Sequence, residues 1–307
     1  MEQELKIQII DALEAWMSER PEVSQNDVAK QANVNPGYLV NMRKKEFQLK
    51  TGVNIGDKYF LNIAKFIAFE VGSNHWETQK TPQLVDVVTS LQMAKDNGET
   101  SVLIGETGCG KTFSLETFKS RYPLEVFAIK VGSSDLLGNI LDKILDQLQV
   151  TNIRYGSSAK IAQIVLRLKI IKERGFTPLL AIDEAEYMRY QSLCAFKELY
   201  DVLHKECALV LIGTDELITN IDRLVKTKKP GIAQLFRRIK FKIHHLAPID
   251  RKYEHFLEGV PAPVKRWLQE KCENYGELHD VMVPALAEVK RTGEPLTVDL
   301  IKTVLGI

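Results

Sequence analysis

The chain has 307 residues, 45% of them hydrophobic and 26% charged, with a formal net charge of +1. That balance excludes a disordered or fibrous chain, and the length suffices for one large or two to three small domains with real cores. It also excludes a globally basic nucleic-acid binder, so any such contact has to come from local patches.

The opening residues, MEQELKIQII, lack a secretory pattern, and no apolar run approaches 18 residues. Cys109, Cys194, Cys207 and Cys272 are scattered, with no C-x-x-C pair. Reduced thiols, a cytoplasmic location and no membrane span are the expectation. Residues 4–17 carry apolar positions three and four apart and predict a helix. In SQNDVAKQANVNPGYLVNMRKKEF, Ser24 or Asn26 caps a short helix, Asn33–Asn35 form a turn, and Pro36 opens a second helix to Lys45. Leu39 and Met42 face its core, while Arg43, Lys44 and Lys45 are available to a phosphate backbone. A further helix runs from Gly56 to Glu70. Residues 1–72 therefore read as a helix-turn-helix bundle that binds DNA or docks a protein. Residues 73–83 are a polar linker.

From residue 84 the pattern alternates. A helix at 84–96 leads to a strand at 100–105. Strands follow at 124–131, 178–183 and 208–214, with helices at 135–148, 159–175 and 192–206. The strands are continuous apolar runs, as in a parallel sheet covered on both faces. The short stretch LFRR is a helix that ends in Arg237 and Arg238. Residues 84–246 form this α/β core. Residues 247–307 read as all-helical, with helices at 250–258, 261–274, 277–291 and 297–305.

Two motifs carry chemistry. Gly105, Glu106, Thr107, Gly108, Cys109, Gly110, Lys111 and Thr112 fit G-x-x-x-x-G-K-T between a strand and a helix, the context a phosphate loop requires. Its glycines let N–H groups point at phosphate oxygens, Lys111 reaches the β/γ-phosphates, and the Thr112 hydroxyl ligates Mg²⁺. The strand LLAID ends in Asp183, placed to hold the Mg²⁺, and Glu184, placed to polarise the attacking water. Thr214, at the end of a third strand, orients that water or senses the γ-phosphate. Between Asn220 and His245 there are eight Lys/Arg and one acid. Lys226, Lys228 and Lys229 fall in a Gly/Pro loop that is either a solvated face or a DNA contact. Arg237 and Arg238 are either DNA contacts or an arginine finger supplied to a neighbouring subunit.

Gly105–Thr112, Asp183–Glu184, Thr214 and LFRR, followed by a helical lid, resemble an AAA+ ATPase. The head PEVSQNDVAKQANVNPGYLVNMRKKEF, the lead-in TPQLVDVVTSLQMAKDNGETSVLIGETGCGKT and the run LVLIGTDELITNI with IAQLFRRI are similar to the target-selecting transposition ATPases of phage Mu and Tn7-type elements. That resemblance implies ATP and Mg²⁺ as cofactors, ATP-dependent self-assembly into filaments on double-stranded DNA, and recruitment of a transposase. It also implies DNA contacts at Ser133, Ser134, Arg154, Ser157 and Lys160. The family's lid carries Gly-x-x-Arg toward the γ-phosphate, and here YGELHD puts His279 in the Arg position, a weaker phosphate clamp. A helicase-loader-type ATPase and a nucleotide-switched DNA-binding regulator are the rival readings.

Overall fold

The computed structural model describes residues 1, 3–49, 52–67, 69 and 76–307. They divide into two compact units. One holds the described residues up to 69 together with Thr117–Leu124, and the other holds the remainder.

The first unit contains α1 (Gln3–Ser18), α2 (Gln25–Gln31), α3 (Pro36–Arg43) and α4 (Asp57–Phe66). Ser24 caps α2 in a reciprocal box with Asp27, and Asn35 caps α3, whose first residue is Pro36. Between them Asn33 adopts φ 51°, a left-handed turn that Asn tolerates. Ile9, Leu13, Leu39, Met42, Phe60 and Ile63 are fully buried in one small core. The helix expected to reach Glu70 closes at Phe66. Positions 68 and 70, and residues 73–75 of the expected linker, lie outside the described residues.

The second unit opens with α5 (Pro82–Asn97), capped by the Thr81 hydroxyl and begun by Pro82, so helix starts inside the expected linker. Then follow β1 (Thr100–Ile104), α6 (Lys111–Arg121, whose residues from Thr117 on belong to the first unit), β2 (Val126–Lys130), α7 (Leu137–Gln147), α8 (Ser157–Glu173), β3 (Leu179–Asp183), a single 3-10 turn Ala185–Tyr187, and α9 (Tyr190–Leu203). After them come β4 (Ala208–Gly213), α10 (Asp215–Lys226), α11 (Ile232–Ile239), β5 (Ile243–His245), α12 (Ala262–Lys271), α13 (Tyr275–Thr292) and α14 (Val298–Leu305). The five strands pair in parallel in the order β2-β3-β4-β1-β5. β1, β3 and β4 are buried along their whole length, which is why they read as unbroken apolar runs. β4 lies between β1 and β3, so the chain segments leaving these three strands emerge side by side at one edge of the sheet.

Two further expectations are corrected. The helix predicted at 250–258 is a series of turns. The Asp250 carboxylate accepts from the N–H groups of Lys252 and Glu254 at 3.0 and 3.1 Å, and Tyr253 takes φ 54°. That bend buries the Tyr253 ring and lets its hydroxyl donate to the Cys272 carbonyl at 2.6 Å. Lys226 is not in a loop, because α10 runs through it. The edge strand β5 was also not anticipated, since it has three residues and no buried side chain.

α12–α14 build a second apolar cluster in this unit around Tyr253, Leu257, Leu268, Leu278 and Ile301. Among the described residues no helix is long and apolar enough to cross a membrane. All four cysteines are free thiols.

Candidate active site

Between β1 and α6 the chain curls with Gly108 at φ 75° and Gly110 at φ 92°, a conformation L side chains rarely adopt. The Gly105 N–H donates to the Gly213 carbonyl at 3.1 Å, pinning the root of the loop to the end of β4. The Lys111 ammonium turns into the loop and donates to the carbonyls of Gly105 (2.7 Å) and Glu106 (2.8 Å). These carbonyls occupy its donors where phosphate oxygens would otherwise accept. Glu106 and Thr107 stand exposed at the rim, with Arg251 3.8 Å from the Glu106 carboxylate.

The loop is also held from above. Cys109 is buried in the α12–α14 cluster, and burial pushes its thiol pKa up. Asn274, the N-cap of α13, lies against the loop tip, so a Cβ at Gly108 would overlap its carboxamide. Gly276 sits close enough for its own Cβ to fall 3.9 Å from the Gly108 Cα. The start of α13 and the phosphate loop are thus packed backbone to backbone.

At the end of β3 the Asp183 carboxylate, 3% exposed, accepts from the Thr112 hydroxyl at 2.6 Å and from the Glu184 N–H at 2.9 Å. The structure therefore brings together Thr112 and Asp183, 71 residues apart. Glu184 takes φ 52° and ψ 42°, a left-handed conformation that turns its side chain away from the strand direction. Its Oε1 lies 2.8 Å from the Lys130 ammonium. The Glu184 hydrogen bond raises the Lys130 pKa. Lys130 ends β2 in register with Asp183.

Thr214 follows β4, and its hydroxyl donates to Glu186 Oε1 at 3.2 Å. Glu186 Oε2 is buried without a protein partner, and Asn220 holds the Glu186 carbonyl. A Cβ at Gly213 would lie 2.6 Å from Glu186 Oε2, so that carboxylate would have to shift. Lys130, Glu186 and Asn274 escaped the sequence reading. A Lys closing an apolar strand was the available signal for the first. The other two depend on contacts across the sheet and across the lid.

The remaining candidates separate by their partners. Arg238 is held by Asp201 at 2.6 Å and lies over the Tyr200 ring, whereas Arg237, one residue earlier, is exposed. His279 rests edge-on against Trp76, with Nδ1 3.2 Å from Asp280. Arg43 forms a two-pronged pair with Glu14 and donates to Gln25. Lys45 pairs with Asp11, and Lys160 with Asp142. Lys44, Ser133, Ser134, Arg154, Ser157, Lys226, Lys228 and Lys229 are exposed. Lys229 lies 5.8 Å from the centroid of the Tyr190 ring.

The family model of an AAA domain matches residues 95–221, which contain the phosphate loop, Asp183, Glu184 and Thr214. Among solved structures the chain is similar to Cdc6p from Pyrobaculum aerophilum, at 16% identity and a TM-score of 0.55 over 78% of this chain and 70% of that one. No curated protein matches it. At that identity the likeness speaks for the fold: an α/β AAA+ domain with a five-stranded parallel sheet.

Proposed function

We propose that this chain, with its AAA-type P-loop domain, is an ATPase that assembles on double-stranded DNA in the ATP state and directs a transposase to its target. The observation that carries the ATPase reading is the meeting of Thr112, Asp183 and Glu184 beside the phosphate loop. These residues fit the implied ligands. Gly110 faces open space, so a Cβ there meets nothing that would compete with a phosphate. The Thr112 hydroxyl and the Asp183 carboxylate form a hard oxygen pair of the kind Mg²⁺ takes with substrate phosphates. Bound there, Mg²⁺ supplies charge neutralisation at the β- and γ-phosphates.

The chain's own residues do the rest. Lys111 exchanges its two carbonyl partners for phosphate oxygens. Glu184 leaves Lys130 and accepts the proton of the attacking water. The water oxygen bonds to the γ-phosphorus as the bond to the ADP oxygen breaks. Thr214, steadied by Glu186, holds the water's position. Arg237 reaches a neighbour's nucleotide, whereas Arg238 stays on Asp201.

The DNA and transposase parts of the proposal rest on the resemblance and on domain order: a helical head, a P-loop core and a helical lid. Exposed Ser133, Ser134, Arg154 and Ser157 suit contacts to phosphates that ignore sequence. The deciding experiment measures ATP hydrolysis and sedimentation with duplex DNA, single-stranded DNA and no DNA. Duplex-stimulated turnover with ATP-dependent co-sedimentation supports the reading. Preference for single strands favours a helicase loader, and binding without turnover favours a nucleotide-switched regulator.

A further inference from the structure

Two surface features remain without a role, and they complement each other. The first is a cleft of about 380 Å³ on the lid side of the second unit. Its walls include Trp76, Phe256, Met282 and Leu286, and its rim carries Glu77 and Glu258. Trp76 and Phe256 stack with centroids 5.1 Å apart and planes 10° from parallel. The lining contains no residue of the phosphate loop, so this is a separate site. Its size and apolar walls are those of a binding cleft, and its two acids are exposed.

The second feature is Phe241. It is 86% exposed in the turn between α11 and β5, flanked by Lys240 and Lys242. The Lys240 ammonium lies 4.5 Å from the ring centroid, so the aromatic face is met by a cation rather than by an apolar neighbour. An isolated exposed Leu or Val needs no explanation, but a Phe at this exposure between two lysines is an apolar knob with a basic collar.

The knob and the cleft cannot meet within one chain. β5 runs parallel to β1, and β1 leads into the phosphate loop. Phe241 precedes β5, so it stands at the sheet end opposite the loop. The lid packs on the loop end, through Cys109 and Asn274. Within the second unit the two features therefore lie toward opposite ends of the sheet, the arrangement that gives a head-to-tail, open-ended contact between copies.

We propose that Phe241 of one copy seats in the Trp76–Phe256 cleft of the next, with Lys240 and Lys242 against Glu77 and Glu258. This deepens the self-assembly reading above and rests on it. The knob lies four residues beyond Arg237, so the same region of the second unit carries both the apolar anchor and the exposed guanidinium. One aromatic buries about 150–250 Å², well short of the roughly 1,200–2,000 Å² of a stable interface. The knob is thus an anchor within a larger contact that bound nucleotide completes, and assembly without ATP stays weak.

The test follows assembly by light scattering with ATP, with and without duplex DNA, for wild type, F241A, K240E/K242E and E77K/E258K. All the changed side chains except Lys242 are exposed, and nucleotide binding serves as the folding control. F241A is expected to bind ATP normally and to need about tenfold more protein, or higher, to assemble. Each charge variant alone is expected to fail, because its own knob and cleft repel. Mixed in equal amounts they are expected to assemble, because alternating copies then match at every contact. In a W16F/W267F background Trp76 is the one remaining indole, and its emission is expected to shift on assembly unless Phe241 is removed. If F241A assembles as readily as an assembling wild type, or mixing restores nothing, the knob is wrong and self-assembly stands. If wild type remains monomeric under every condition, self-assembly itself fails, and the knob with it.

Discussion

In the proposed mechanism Glu184 is the general base, which needs a free oxygen, and one of its two lies on the Lys130 ammonium, 2.8 Å away. Its left-handed backbone leaves that pairing as the resting arrangement. Lys130→Met is therefore expected to raise DNA-free hydrolysis and shrink stimulation by DNA, read from steady-state rates. Equal basal rates in the two proteins would show that Lys130 does not restrain Glu184. Glu184→Gln keeps the shape and the Asp183–Thr112 pair but removes the proton acceptor. Turnover is expected to fall by ~10²–10⁴ with ATP binding preserved. Gly213→Ala acts one layer further out. The new methyl would sit 2.6 Å from Glu186 Oε2 and push that carboxylate off Thr214. The expected signature is a fall in kcat larger than any change in KM, with a modest loss of stability in urea. The phosphate loop and Asp183–Glu184 were legible in the sequence because each is a contiguous run in a recognisable strand context. Lys130 and Glu186 were not, because their meaning comes from register between strands and from a side chain crossing beneath Gly213.

At the scale of elements, α5 is tied to the sheet by a buried charge. Lys95, 6% exposed, pairs with Glu125 at 2.9 Å and donates to the Thr177 hydroxyl. Glu125 in turn accepts from the Thr177 N–H and hydroxyl at 2.8 and 2.7 Å. Such a network adds little net stability over apolar packing, but removing one member strands the other's charge. Lys95→Ala is expected to cost about 3–5 kcal/mol, read as a lower urea midpoint at unchanged slope. A loss below about 1 kcal/mol would mean that water solvates Glu125 in the variant. Elements with strong local signals matched the sequence reading. α2 has its Ser24 box, α3 its Asn35 cap and Pro36, and β1, β3 and β4 their apolar runs. The errors came where a side chain overruled periodicity. Residues 250–258 carry a helix-like pattern, yet Asp250 captures two N–H groups and bends the chain so that Tyr253 can be buried. β5 is held by its pairing with β1, which no local pattern reveals.

At the scale of the whole molecule, the proposed reading gives the neighbouring arginines different roles. Arg238→Ala leaves Asp201 with Lys197 as its cation partner and is expected to lower stability modestly while sparing the chemistry. Arg237→Ala is expected to lower hydrolysis by ~10³–10⁵ and to weaken ATP-driven assembly. Mixed with Lys111→Ala chains it is expected to regain part of the rate, because an intact pocket then faces an intact guanidinium. If every mixing ratio stays inactive, Arg237 acts within its own chain or on DNA. The packing of the phosphate loop into the lid has a further consequence, which concerns time. Cys109 belongs to the lid's apolar cluster, and Asn274 rests on Gly108. A nucleotide cannot pass between the loop tip and α13 unless that contact separates, and separation uncovers apolar surface. Exchange is then expected to be limited by how often α12–α14 lift from the loop and not by how tightly the phosphates are held. The expected consequence is hysteresis: for a while after ATP is replaced by ADP, the protein keeps the shape of the state it has just left.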